Sequence, residues 1–121
     1  MILTFSKSKF VSRIALRIKI HTIREDKTDR WHEGRPIQFW YGNPRNVKKN
    51  PFHFKDGFCH SIQKIEIKKK CVYIDDRELK LPSDKVELLA NQDGFDSLQE
   101  FFEWFDKDFV GKIIHWTDFK Y

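Results

Sequence analysis

The chain predicts an α+β fold: a small, mostly antiparallel β-barrel closed by about three helices. Three observations lead there. Short β-branched or aromatic stretches recur through the first 80 or so residues. A single helical pattern interrupts them early. Two more helical patterns cluster late, followed by one last strand-like stretch. The 121 residues suit one domain, 1–121, large enough to bury a core without staples.

The elements follow in order. Ile2 to Phe5 read as a first strand. Phe10, Val11, Ile14, Ala15 and Ile18 recur at helical spacing, with Ser8 as N-cap and an end near Arg17 or Ile18. Lys19 to Arg24 alternate and are β-branched, which predicts a strand. Glu33-Gly34-Arg35-Pro36 marks a turn, and Ile37 to Tyr41 an aromatic strand. Gly42 to Gly57, with Pro44, Pro51 and three asparagines, reads as one long loop, a kind that is usually functional or mobile. Phe58 to Lys69 and Cys71 to Ile74 are predicted to pair around a turn, and Leu79 to Leu81 form a further short strand. A helix starts at Pro82, capped by Ser83 or Asp84, and breaks at Asp93-Gly94. Ser97 with Glu100, or Asp96 with Gln99, fits a capping box for the next helix, whose apolar stripe is Leu98, Phe101, Phe102 and Phe105. Lys112 to Trp116 read as the final strand.

Charge narrows the function. The net charge is +5, unevenly spread: residues 1–74 hold 17 basic and 6 acidic side chains, and residues 75–121 hold 6 and 12. Such asymmetry points to a surface that faces a polyanion. Aromatics make up 16% of the chain, enough to fill a core and leave rings to stack on a flat ligand. No run approaches the roughly 20 apolar residues of a membrane span, and the N-terminal apolar stretch is too short for a signal peptide. The two cysteines, Cys59 and Cys71, suit a reducing compartment, so a cytoplasmic protein without a membrane partner is expected. The histidines and cysteines show no metal spacing, no Gly-rich phosphate loop is present, and no serine sits in a nucleophile elbow. No metal or other cofactor is expected.

One ordered set of motifs is more specific. Lys19-Ile20-His21-Thr22-Ile23-Arg24, then Arg30-Trp31-x-x-Gly34, then Ile37-x-Phe39-Trp40-x-Gly42, resembles the ASCH domain signature. Asp93-Gly94-Phe95-Asp96-Ser97 with Phe101 to Phe105 is similar to that family's second motif, and Lys112 to Trp116 to its last strand. The set spans nearly the whole chain. The resemblance implies a PUA-like β-barrel that binds or acts on RNA in a central cleft. It also implies relation to bacterial amidohydrolases that release acetate from N-acetylated cytidine. On that resemblance Lys19, Thr22 and Asp93 are the catalytic candidates, and Arg24 matches a family arginine. The carboxylate here is Asp where the amidohydrolases carry Glu, and the basic segment 43–55 is longer than theirs.

The chemistry sets conditions. A threonine nucleophile needs a base, and Lys19 is one only when neutral, which burial favours. Arg24, or an amide near Asp96, would meet the oxyanion. Asp93 would orient Lys19 or protonate the leaving nitrogen. In a regular strand Thr22 and Arg24 share one face and Lys19 the other. Lys19 therefore reaches Thr22 only from a turn before the strand. RNA or nucleotide binding requires less: phosphates meet Arg24, Arg30, Arg45, Lys48 and Lys49, while bases stack on Trp31, Trp40 or His53. A third possibility is a protein-interaction domain using Phe52 and Phe54.

Overall fold

The β-branched and aromatic stretches pair into two sheets in the computed structural model, which describes residues 1–121. In chain order the elements are β1 (Ile2–Phe5), α1 (Ser8–Ala15), β2 (His21–Arg24), β3 (Pro36–Tyr41), β4 (Phe52–Phe58), β5 (Ser61–Lys68), β6 (Cys71–Ile74), α2 (Ser83–Gln92), α3 (Leu98–Trp104) and β7 (Phe109–His115), with a 3-10 turn at Val47–Lys49. One sheet has the order β1-β3-β4, the other β2-β7-β5-β6. Only β1 and β3 run parallel; the other ladders are antiparallel. The fold is thus α+β, with three helices and mostly antiparallel sheets. No ladder joins the two sheets into a closed barrel.

Several expectations change. Gly42 to Gly57 is not one loop, because Phe52–Phe58 pairs with β3 as an edge strand. Most of its residues are exposed, so no in-out alternation betrays it. A register shift opposite Phe39 and Trp40 turns Phe54 inward against Phe5 and Phe39. Leu79 to Leu81 form no strand; Leu81 N–H donates one bond to Val72 O, and Leu79 is 83% exposed. Ser8 is the first helical residue rather than the cap, and Lys7 precedes it without a side-chain cap. Pro82, not Ser83 or Asp84, stands at the cap of α2. Ser97 does cap α3: its Oγ accepts from Glu100 N–H at 3.1 Å, and Glu100 Oε1 accepts from Asp96 N–H.

The end of α1 decides where Lys19 lies. The helix stops at Ala15, and Arg17 takes a left-handed φ of 62°. Ile18 and Lys19 N–H both donate to Arg13 O, a closure that satisfies an orphan helix carbonyl. Ile20 N–H then donates to Gln92 O at the end of α2. Lys19 and Ile20 therefore form a tethered connector, and β2 begins only at His21.

The facing turn depends on Gly94, whose φ is +97°. A Cβ there would lie 2.9 Å from Phe10 Cδ1 and 3.1 Å from Lys19 Cδ. Gly34 has a similar φ of +86° but open space around it. Both Gly→Ala variants carry the backbone strain, and only Gly94→Ala adds crowding. Chemical denaturation is expected to show Gly94→Ala less stable than Gly34→Ala by about 1–3 kcal/mol; equal losses would mean that the turn relaxes freely.

Candidate functional site

Lys19, Thr22, Arg24 and Asp93 line one cavity of about 290 Å³. The connector brings Lys19, β2 brings Thr22 and Arg24, and the α2–α3 turn brings Asp93. Phe5, Phe10, Phe95, Trp104 and Phe105 supply the apolar wall. The Lys19 ammonium donates to Asp93 O and, at 3.2 Å, to Asp93 Oδ1. It also lies 5.0 Å from the Phe10 ring centre and 5.7 Å from that of Phe5. Burial outweighs the Asp93 carboxylate and lowers the Lys19 pKa to about 8. Asp, one methylene shorter than Glu, thus reaches the lysine.

Thr22 Oγ1 accepts from Arg24 Nε at 3.2 Å. Arg24 Nη2 donates to Thr4 O at 2.6 Å, and the guanidinium lies over Phe5 at 5.2 Å. No hydrogen bond links Thr22 to Lys19 in this arrangement. Arg13 and Lys9 of α1 hold the turn from outside. Arg13 donates to Gly94 O and Asp96 Oδ1, and Lys9 donates to Glu100.

A buried polar network, which the sequence reading did not single out, supports the site from behind. His21 Nδ1 is 3.0 Å from Asp93 Oδ1. Its Nε2 is 2.6 Å from the Tyr121 hydroxyl, which also reaches the Gln92 side-chain amide at 2.5 Å. Burial lowers the His21 pKa and raises that of Tyr121, so both favour their neutral forms. Strand β2 is buried on both faces, so alternation gave no hint of His21. Its neighbour across the ladder, His115, has a tautomer fixed by Gln63. The Gln63 amide nitrogen donates to Asp75 Oδ2 and Tyr121 O. Its oxygen accepts from Tyr121 N–H and must therefore accept from His115 Nε2–H at 3.0 Å. His115 Nδ1 is left bare and unpartnered, as is Ser61 Oγ on the paired β5 residue.

The other sequence candidates lie elsewhere. Trp31 is buried in the core with an edge on a second concavity, which Arg30 and Arg45 also line. Trp40 stacks on His53 with ring centres 5.1 Å apart. Lys48 and Lys49 are exposed on the 3-10 turn. Phe54 turns inward while Phe52 stays 62% exposed, so the two rings do not form one outward patch. A further concavity, about 580 Å³ between the Asp26 loop and β5-β6-β7, is lined mainly by charges that pair with one another. Examples are Lys112 with Asp26, and Lys64 with Asp76. Most of its charges are already paired, and three of its 13 lining residues are hydrophobic against six of 12 in the smaller cavity.

No family model, no curated protein and no solved structure matches the chain. No helix is long and apolar enough to cross a membrane.

Two pH effects follow. Lys19 titrates at about 8 when folded and near 10.5 when unfolded. The unfolded chain binds more protons in that window, so stability rises with pH from about 8 to 10, and Lys19→Met flattens the rise. Burial, with His21 beside it, lowers the His115 pKa from 6.5 to about 3. Stability therefore falls as pH drops from 6.5 toward 3, and His115→Gln, which keeps a donor toward Gln63, makes that fall shallower. Thermal melts across both windows check each sign; slopes identical to wild type would reject the assignments.

Proposed function

We propose that the chain binds RNA or a nucleotide, taking one base into the Lys19 cavity. The observation that carries this is the convergence of Lys19, Arg24, Thr22 and Asp93 within an aromatic wall. Two cationic donors, a hydroxyl and a carboxylate match the mixed edge of a pyrimidine or purine, and rings match its face. At about 290 Å³ the cavity sits at the small end of ligand sites, suited to one base or nucleoside. The resemblance of the Lys19–Arg24 and Asp93–Ser97 motifs to ASCH domains supports the same reading, and with it a PUA-like relationship. Two free cysteines, Cys59 and Cys71, agree with a reducing, cytoplasmic setting.

The lowered pKa of Lys19 favours a second reading, hydrolysis of an N-acylated cytidine-like nucleoside. With a pKa of about 8, roughly a tenth of Lys19 is neutral at pH 7. Thr22 Oγ would add to the amide carbonyl carbon as its proton passes to Lys19. The C–N bond would then break, with the nitrogen taking a proton from the Lys19–Asp93 pair. Water would cleave the acyl-threonine to a carboxylic acid. The missing Thr22–Lys19 hydrogen bond places this second, although such contacts often form only with substrate bound.

Titration calorimetry with cytidine monophosphate, beside an acetate-release assay on N-acetylcytidine, separates the readings. Binding should weaken at least tenfold in Lys19→Met, since a hydrogen bond to a charged group is worth about 1.5–3 kcal/mol. Thr22→Val should weaken binding less than Lys19→Met does, since a neutral hydrogen bond is worth about 0.5–1.5 kcal/mol. Acetate release that Thr22→Val abolishes in folded protein would establish the hydrolase instead. No binding and no turnover would remove both.

A further inference from the structure

We propose that the outer face of the β1-β3-β4 sheet carries the continuation of a single RNA strand whose base occupies the Lys19 cavity. This rests on the binding reading above and names its ligand as an oligonucleotide rather than a free nucleoside. Thr4 is the hinge of the inference. It lines the Lys19 cavity and also the adjoining concavity of about 560 Å³, so one residue separates the two. Its carbonyl already holds the Arg24 guanidinium.

The ladder register extends the path across the sheet. Thr4 pairs with Trp40, and Trp40 with His53. Directly paired residues share a face, so these three stand in one row. Leu3, Phe5 and Phe39 alternate with them and are buried, which puts the row on the outer side. There Trp40 and His53 stack with an interplanar angle of 12°, so each ring covers one face of the other and the far faces make a two-sided platform for a base. The acid in reach of that platform, Asp56, is engaged by His53 Nε2 at 2.8 Å.

The flank supplies charge. Arg30 and Arg45 line the concavity, no carboxylate lines it with them, and neither arginine makes a salt bridge. Lys48 and Lys49 follow on the exposed turn. Unneutralised cations beside stacked rings on an open sheet suit unpaired bases with their phosphates. A duplex keeps its bases stacked inside and has no use for the platform. A protein partner would want a broad apolar patch rather than this mixture.

Fluorescence anisotropy with a labelled single-stranded cytidine hexamer, set against competition by cytidine monophosphate, tests the inference. The hexamer should bind at least tenfold more tightly than the mononucleotide. Its affinity should fall with salt, and Arg30→Gln with Arg45→Gln should lower the log–log salt slope by about 1.4, at roughly 0.7 per phosphate contact. Trp40→Leu should weaken the hexamer by about fivefold or more, as loss of one stacked base predicts. Circular dichroism verifies that each variant folds. A hexamer no tighter than the mononucleotide, a salt slope unchanged by the double variant, or duplex RNA binding as tightly as the single strand overturns this proposal alone, provided that mononucleotide binding still depends on Lys19. Failure of both probes overturns it together with the cavity reading.

Discussion

Lys19 and Asp93 meet in the interior, and much of the molecule is arranged so that they can. Both are nearly inaccessible to solvent, and two charges taken out of water cost several kcal/mol each unless they are paired and hydrogen-bonded. The pairing needs three segments in register. The α1 helix must end early enough to free Lys19 from the strand, α2 must stop at Asp93, and Gly94 must let the turn pass close to Phe10 and the lysine stem. Arg13 and Lys9 then fasten α1 to that same turn. A buried ion pair contributes little net stability compared with apolar replacements. Here it joins the end of α2 to the connector that leads into β2.

The polar interior behind the pair extends the same constraint across the sheet. Asp93 Oδ1 is shared between Lys19 and His21, so the carboxylate cannot swing without breaking two contacts. His21 is tied to Tyr121 and His115 is tied to Gln63, which also receives the Tyr121 backbone. Around Gln63 each contact fixes the donor or acceptor role of the next, so His115 donates through Nε2. The bare Nδ1 of His115 and the Ser61 hydroxyl are where that accounting stops.

Sequence patterns disclosed the elements where periodicity was strong and missed those where exposure erased it. Strand β5 alternates buried and exposed along its length and was legible; β4, exposed on most positions, was not. The caps show the same division. Ser97 with Glu100 was legible because the capping box is a two-residue signal, whereas Ser8 and Ser83 are single polar residues that the helices absorbed. For the site, motif resemblance brought out Lys19, Thr22, Arg24 and Asp93, which the fold gathers. Strand parity allowed Lys19 and Thr22 to share a cavity only if Lys19 lay in a turn before the strand, and Arg17 in a left-handed conformation ends the helix and leaves Lys19 there. His21 stood in the motif without a role, and Tyr121 and Thr4 gave no signal, since their roles come from contacts far apart in the chain.

The two functional readings differ by a single proton on Lys19. In the free protein that proton is held by Asp93 from two directions and opposed by burial, leaving the lysine poised near the pH at which it would lose it. A ligand that brings a carbonyl oxygen toward the ammonium adds a partner for the charged form and keeps Lys19 a donor. A ligand that brings an apolar acyl group displaces water, deepens the desolvation and favours the neutral amine that a threonine nucleophile requires. Thr22, restrained by Arg24 and lining the same cavity, is present in either case. Under either reading, the polarity of the group that enters beside Lys19 would set which protonation form of the lysine it meets.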